Sequence, residues 1–181
     1  MTDTQWPRYE IFKQDRPGKP HESIGTVHAI DGEMALQNGR DLFARRPRCH
    51  SLWAARADII FSKTAAELAE DDSWLAEIDP NASRETYLIF QKQTERRGMA
   101  FTTHVGEVAA SSPAHALQLA LETFPQDEVF VWWVCLQTAV TASQEDDIPT
   151  MFQPPAEKKY RLPNQYRTVS MMQQIKREKD E

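Results

Sequence analysis

A chain of 181 residues is long enough for one ordinary domain or two small ones, and its two cysteines, Cys49 and Cys135, exclude a disulfide framework and suit a reducing cytosol. The net charge of −6 is unevenly spread: from Phe152 to Glu181 seven basic and four acidic residues leave +3, so everything before carries −9. An acidic body repels phosphate backbones and argues against nucleic acid; the apolar stretch Val129 to Leu136 is too short to span a bilayer, and the N-terminus lacks the basic start and apolar run of a signal peptide. The expectation is a cytoplasmic protein with no membrane contact.

The chain repeats itself. Tyr9-Glu-Ile-Phe is echoed by Tyr87-Leu-Ile-Phe, Ile24-Gly-Thr-Val-His-Ala by Val105-Gly-Glu-Val-Ala-Ala, and Met34-Ala-Leu-Gln by His115-Ala-Leu-Gln. From Gly25/Gly106 to Phe43/Phe124 the two copies stay 81 residues apart without a gap, and Trp53 then falls opposite Trp132 or Trp133. A preserved order of apolar, glycine and aromatic positions marks a tandem duplication.

Each copy predicts strand, turn, strand, helix, strand. The first strands start at Tyr9 and Tyr87, rich in aromatic and β-branched residues. Polar turns follow, Asp15-Arg-Pro-Gly-Lys-Pro in one copy and Arg96-Arg-Gly in the other. Second strands run near Ser23–Ile30 and His104–Ala109. Asp31 and Ser112 stand as N-caps, the latter with Pro113 at the first helical position. Small residues at Gly39 and Ala120 let each helix lie close to a sheet. The third strands are Ser51–Ile60, which includes Arg56 and Asp58, and Val129–Leu136, apolar throughout and so expected to be covered on both faces. The fold class is α+β: two repeated small modules, each an antiparallel sheet with a helix on one face, followed by an extended Pro-rich C-terminal arm. The boundaries are 1–62 for the first module, 63–86 for an acidic linker with some helix near Ala65–Ala69, 87–143 for the second module and 144–181 for the arm.

Catalytic patterns are missing. There is no Gly-rich phosphate loop, no G-x-S-x-G and no H-E-x-x-H. None of the five histidines, His21, His28, His50, His104 and His115, follows a Glu by three residues, as a di-iron carboxylate bundle would require. His28 has Ala109 as its counterpart, so the repeat does not preserve it. Cys49-His50 lacks a second ligand cluster at useful spacing and is expected to be a loop thiol beside a solvated imidazole; Cys135 is expected to be a buried, inert hydrophobe. The pairs Asp71-Asp72 and Asp146-Asp147 lie in polar connections and are expected to be solvated. No catalytic, cofactor or metal residue is assigned.

Adjacent tryptophans on a strand point to opposite faces. One of Trp132 and Trp133 should fill the core under a helix, while the other packs against the other module or anchors a partner. The candidate partner-binding residues are Trp6, Tyr9, Trp53, Trp132, Trp133, Phe152, Tyr160 and Tyr166.

These features resemble a known family. Trp6-Pro-Arg-Tyr-Glu-Ile-Phe, Ile24-Gly-Thr-Val-His-Ala, Met34-Ala-Leu-Gln-Asn-Gly-Arg-Asp and Ser51-Leu-Trp53 are similar to the W-P-x-Y-E-V-F, H-x-G-S-L-H-A, M-A-L-E-N-A-R-D and S-I-W-V-V patterns of the small B subunit of the bacterial phenylacetyl-CoA epoxidase. Phe152 through Tyr166 is similar to that family's C-terminal F-x-P-A-E-x-K-x-Y-R-x-P-x-x-Y. Family members are single modules, so this chain resembles the head of one copy joined to the tail of another. If the usual subunit is a dimer, the fusion is its covalent version with pseudo-two-fold symmetry. The second copy lacks the head motif, since Glu-Thr precede Tyr87. The resemblance implies a non-catalytic bridging subunit, without cofactor, of an NADPH- and O2-dependent epoxidase acting on an aryl-CoA. Its partners would be a catalytic di-iron subunit, a structural bundle subunit and the reductase. The competing expectation is a cofactor-independent ferredoxin-like monooxygenase or small-ligand-binding protein, with Trp53, Trp132 and His28 lining an apolar pocket. An RNA-binding sheet conflicts with the acidic body.

Overall fold

The computed structural model describes residues 6–44, 49–78, 82–94, 102–125, 129–154, 172–173 and 175–177. Its strands are β1 (Arg8–Gln14), β2 (Glu22–His28), β3 (Ser51–Arg56), β4 (Phe61–Thr64), β5 (Glu85–Lys92), β6 (Thr103–Ala110), β7 (Val131–Leu136) and β8 (Val140–Ala142). The helices are α1 (Gly32–Phe43), α2 (Ala65–Glu70) and α3 (Pro113–Thr123). The architecture is α+β and antiparallel, as the sequence predicts.

The two copies share one eight-stranded sheet in the order β4-β7-β5-β6-β2-β1-β3-β8. The outer strands are exchanged. β4 follows the first copy in sequence but pairs with β7 of the second, Ser62 opposite Trp133; β8 follows the second copy but pairs with β3 of the first, Ala142 opposite Trp53. The expected strand Ser51–Ile60 therefore ends early, because a 3-10 turn at Ala57–Ile59 redirects the chain across to the other half, and Gln137–Ala139 does the same in the second copy. At the centre β2 and β6 meet only at their ends. Ser23 N donates to Thr102 O and His104 N donates to His21 O, each at 2.8 Å, a reciprocal pair about a pseudo-two-fold axis.

The repeat positions perform equivalent work. Asp31 Oδ1 accepts from Met34 N, and Ser112 Oγ accepts from His115 N, so both N-caps form. Gly39 lies against Ile11, where an added Cβ would stand 3.1 Å from Ile11 Cγ2; its counterpart Ala120 is fully buried. Gly25 and Gly106 take φ of +143° and +158°, beside register shifts at Ile11/Phe12 and Ile89/Phe90. At either glycine a Cβ would lie 2.7 Å from a ring, Phe43 in one half and Phe124 in the other. Both the backbone and the aromatic lid of each helix end therefore require glycine.

Both helices cover one side of the sheet. Leu36 of α1 packs in one core with Tyr9, Ile11, Val27 and Leu52, and Leu117 of α3 in another with Tyr87, Ile89, Trp132 and Val134. Each of these cores is closed by chain that arrives with the exchanged strand. Met151 and Phe152, in a π-helical turn (Ile148–Phe152) after β8, fill the first core; Trp74, in a 3-10 turn (Ser73–Glu77) after β4, fills the second. Thus segment 63–86, expected to link the modules, holds the end of β4, α2 and this Trp74 turn. Likewise the segment expected to be extended from 144 makes helical turns over Glu145–Asp147 and Ile148–Phe152; the Pro-rich stretch 155–171 lies outside the described residues.

The opposite side of the sheet is a third core of Phe12, Ala55, Leu88, Phe90 and Cys135, with Trp53 and Trp133 packed on it. Phe12 and Phe90 stack with ring centroids 4.4 Å apart. Their strands are three positions apart in the sheet, roughly 14 Å if it were flat at about 4.8 Å per strand. The sheet therefore folds at the β2/β6 junction, and the inner faces of the halves pack on each other. This explains why Val129–Leu136 is apolar throughout: α3 covers one face of β7 and the first half covers the other, although β7 stands next to an edge rather than at the sheet centre.

Candidate functional site

The aromatic residues expected to dock a partner divide into three groups. Tyr9, Trp132 and Phe152 are buried in the helix-side cores, so none can meet a partner in this structure. Their burial corrects the expectation, and for Phe152 the cause is the turn after β8, which presses it onto the first core. Trp53 and Trp133 are partly buried on the inner core, where they join the halves: Trp133 meets Phe12 edge-on at 6.4 Å. The β1/β3 and β5/β7 registers, Phe12 opposite Trp53 and Phe90 opposite Trp133, identify Trp133 as the equivalent of Trp53. Trp6 remains exposed, at 54%. Tyr160 and Tyr166 lie outside the described residues.

Around Trp6 the first half presents further apolar surface. His28 Nδ1 bonds Trp6 O at 2.7 Å, Ala29 N donates to Pro7 O, and Asn38 Nδ2 donates to His28 O at 3.1 Å. These bonds bring the start of β1, the end of β2 and one flank of α1 together. On that flank Leu42 stands one turn after Asn38. Ile30, two residues beyond His28, is 56% exposed and Leu42 60%. The other exposed large apolar residues among those described are Ile59, Leu75, Met172 and Ile175.

The pocket expected from Trp53, Trp132 and His28 does not assemble. Trp53 faces the inner core, Trp132 lies under α3, and His28 is exposed at the edge of the Trp6 surface. The period-2 alternation of strands separates them.

A polar cluster that the sequence does not single out sits at the fold of the sheet. His21, only 6% exposed, stacks on Trp53 at 3.5 Å, and its Nε2 bonds Ser51 Oγ at 3.1 Å. His104, from the other half, meets the same Trp53 edge-on at 5.2 Å and tilts against Phe90 at 5.2 Å. Its Nε2 is buried without a hydrogen-bond partner among the described residues. Beside them Ser23 Oγ donates to buried Glu10, which occupies the place of Leu88 in the second half. Burial lowers the His21 pKa to about 3, helped by His104 and His50, and lowers that of His104, though Glu107 opposes it. Burial also raises the Glu10 pKa, against its bond to Ser23. His21 stacked on Trp53, and His104 lodged between Trp53 and Phe90, form a structural seam, and their only sequence signal is their position near the starts of β2 and β6.

The remaining candidates are structural. Cys49 is not a loose loop thiol: it packs on the first core, and burial pushes its pKa up to about 12. Cys135 is buried, with its pKa raised to about 11. Asp71 bonds Ser73 N and Oγ, which holds its carboxyl below the usual range, and Asp147 accepts from Gln144 N. Both close turns. Among the described residues no group of three or more His, Cys, Asp or Glu is placed to hold a metal ion, and no helix is long and apolar enough to cross a membrane.

The lowered pKa of His21 predicts an acid-sensitive fold. The unfolded chain binds protons at His21 from about pH 6.5 downwards, whereas the folded chain does so only near 3, so stability is full above 6.5 and falls through that window by up to about 1.4 kcal/mol per pH unit for one histidine. Glu10 acts in the opposite sense, its contribution fading as pH rises through its elevated pKa. Urea titrations from pH 7 to 4 should show the midpoint dropping for the wild type and dropping less for His21→Gln; parallel curves would refute this assignment.

Comparison with known proteins matches this arrangement of two copies. The family model for phenylacetic acid degradation B matches twice, over residues 5–92 and 83–173. The chain belongs to that family. It is a tandem duplication of the family's unit, and the family's process is phenylacetic acid degradation. The B subunit of the 1,2-phenylacetyl-CoA epoxidase of Escherichia coli (strain K12) is 37% identical over 70 residues, which cover 39% of this chain and 74% of that protein. No solved structure matches the chain.

Proposed function

We propose that this family member is a non-catalytic bridging subunit of a multicomponent di-iron aryl-CoA epoxidase, phenylacetyl-CoA being the substrate suggested by the E. coli relative. It acts by presenting shaped surface to the catalytic di-iron subunit and the structural bundle subunit, and it supports coupling to the reductase. The observation that carries the proposal is the double match to the family, together with the similarity to the B subunit of an epoxidase.

The geometry is consistent with this role. The polar residues that converge inside the molecule, His21, His104, Glu10, Ser23 and Ser51, lie on the seam between the halves. The exposed Trp6 surface offers a partner an aromatic anchor of the type enriched at binding hot spots. Fusion and strand exchange make the duplicated chain a covalent equivalent of a homodimer. The proposed location is the cytoplasm.

Co-expression with the catalytic and structural subunits of the same organism should give a complex that co-elutes on gel filtration and turns over phenylacetyl-CoA when the reductase is added. The chain alone should oxidise nothing. Separate elution of the components, or turnover by the isolated chain, would contradict the proposal.

A further inference from the structure

The joint between the halves is the shortest in the sheet. β1 and β2 pair from Arg8/His28 to Lys13/Glu22, and β5 and β6 from Glu85/Ala110 to Gln91/Thr103, whereas β2 and β6 oppose only Glu22 to Thr103. Two backbone hydrogen bonds close this joint, Ser23 N to Thr102 O and His104 N to His21 O. At the 81-residue offset of the repeat, His21 corresponds to Thr102 and Ser23 to His104. One bond therefore links two hydroxyl residues, and the other links two histidines, one from each half.

Trp53 covers the histidine end. His21 stacks flat on its ring and His104 meets it edge-on. His21 Nε2 bonds Ser51 Oγ, while His104 Nε2 is buried without a partner among the described residues. The charged and titratable groups nearby offer these rings little counter-charge. His21 feels His104 and His50, both of which would repel a proton, and His104 feels Glu107 of its own strand. On β1, Lys13 pairs with Asp15 at 2.7 Å and stands opposite Glu22 of β2. Glu10 is taken by Ser23, β3 contributes Ser51 and Trp53, and β5 ends in Lys92. The face of an indole favours a cation, but here two rings share one indole, with Glu107 alone to oppose their charges.

We propose that the β2/β6 joint is a proton-operated hinge: protons taken up by His21 and His104 part the ends of β2 and β6 and uncover Trp53, while the exchanged strands keep the halves together. In the closed joint His21 takes a proton only near pH 3, and burial holds His104 down as well. In the open joint both rings meet water and titrate near the ordinary value of about 6.5. The open form is therefore favoured as pH falls. Between pH 7.5 and 5.5 its share rises about tenfold through His21 alone, and further through His104. This differs from loss of the whole fold, because β4 on β7 and β8 on β3 bind the halves at the far edges of the sheet. The angle between the halves, and with it the shape shown to a partner, thus becomes sensitive to pH below neutrality.

Hydrogen exchange of the full-length chain, followed residue by residue by NMR, tests the hinge. The amides of Ser23 and His104 are the two donors across the joint. Corrected for intrinsic rates, they should exchange at least about tenfold faster than amides at the centres of β1 and β5. Their exchange should not respond to urea below about 1 M, since parting two strand ends exposes little surface. From pH 7.5 to 5.5 their protection should fall about tenfold or more. His21→Gln and His104→Phe, which cannot take up a proton, should each flatten that fall, and together they should abolish it. Joint amides as protected and as urea-sensitive as the β1 and β5 centres would mean that the joint opens only with the whole fold. Protection unchanged by pH, or a pH dependence that survives in the double variant, would remove the histidines from the device. Any of these results overturns the hinge, and the wild-type exchange decides even where a variant fails to fold.

Discussion

Phe12→Ala should cost about 3–5 kcal/mol, lowering the melting temperature by roughly 10 °C. Phe12 is 1% exposed, stacks on Phe90 and receives the edge of Trp133, both from the other half. Removing its ring opens a cavity between the two halves of the folded sheet rather than under one helix, so the loss is felt by both halves at once. Phe90→Ala should cost a similar amount. The double variant should cost less than the sum by about 0.5–1.5 kcal/mol, because the stacking energy can be lost only once. Urea denaturation of the four proteins in this cycle checks the prediction; strict additivity would mean that the halves fold without each other. Trp6→Ala, at the surface, should change stability by less than about 0.5 kcal/mol.

Local structure is legible in the sequence because local chemistry sets it. The N-caps Asp31 and Ser112, the glycines Gly25 and Gly106, the close approach at Gly39 and the two-sided burial of Val131–Leu136 all follow from propensity, sterics and polarity along a short window. What is not legible is non-local. A strand of three or four residues such as Val140–Ala142 has too little pattern to announce itself, and nothing in it says that its partner is Trp53 rather than Trp133. Without the exchange, Phe152 reads as a surface anchor when it is a plug of the first core, and the part that Trp74 plays in the second stays hidden. His21 and His104 escape notice for a related reason. Each is an ordinary histidine in or beside its own strand, and only the fold of the sheet brings both to Trp53. Trp6 stays exposed, and Ile30 and Leu42 are brought to the same half by the bonds of His28 to Trp6 and of Asn38 to His28.

The central structural claim is that two copies have become one interleaved unit. Each half owes its outer strand, and the residue that closes its helix-side core, to chain continuing from the other copy. A specific protease site placed in the connection between Ile78 and Ala82 tests this directly. After complete cleavage the fragments should still elute together at the size of the intact chain and unfold in a single cooperative transition on heating, since β4 and β8 remain exchanged without the covalent link. Fragments that separate under native conditions, or that melt in two independent transitions, would contradict the interleaving.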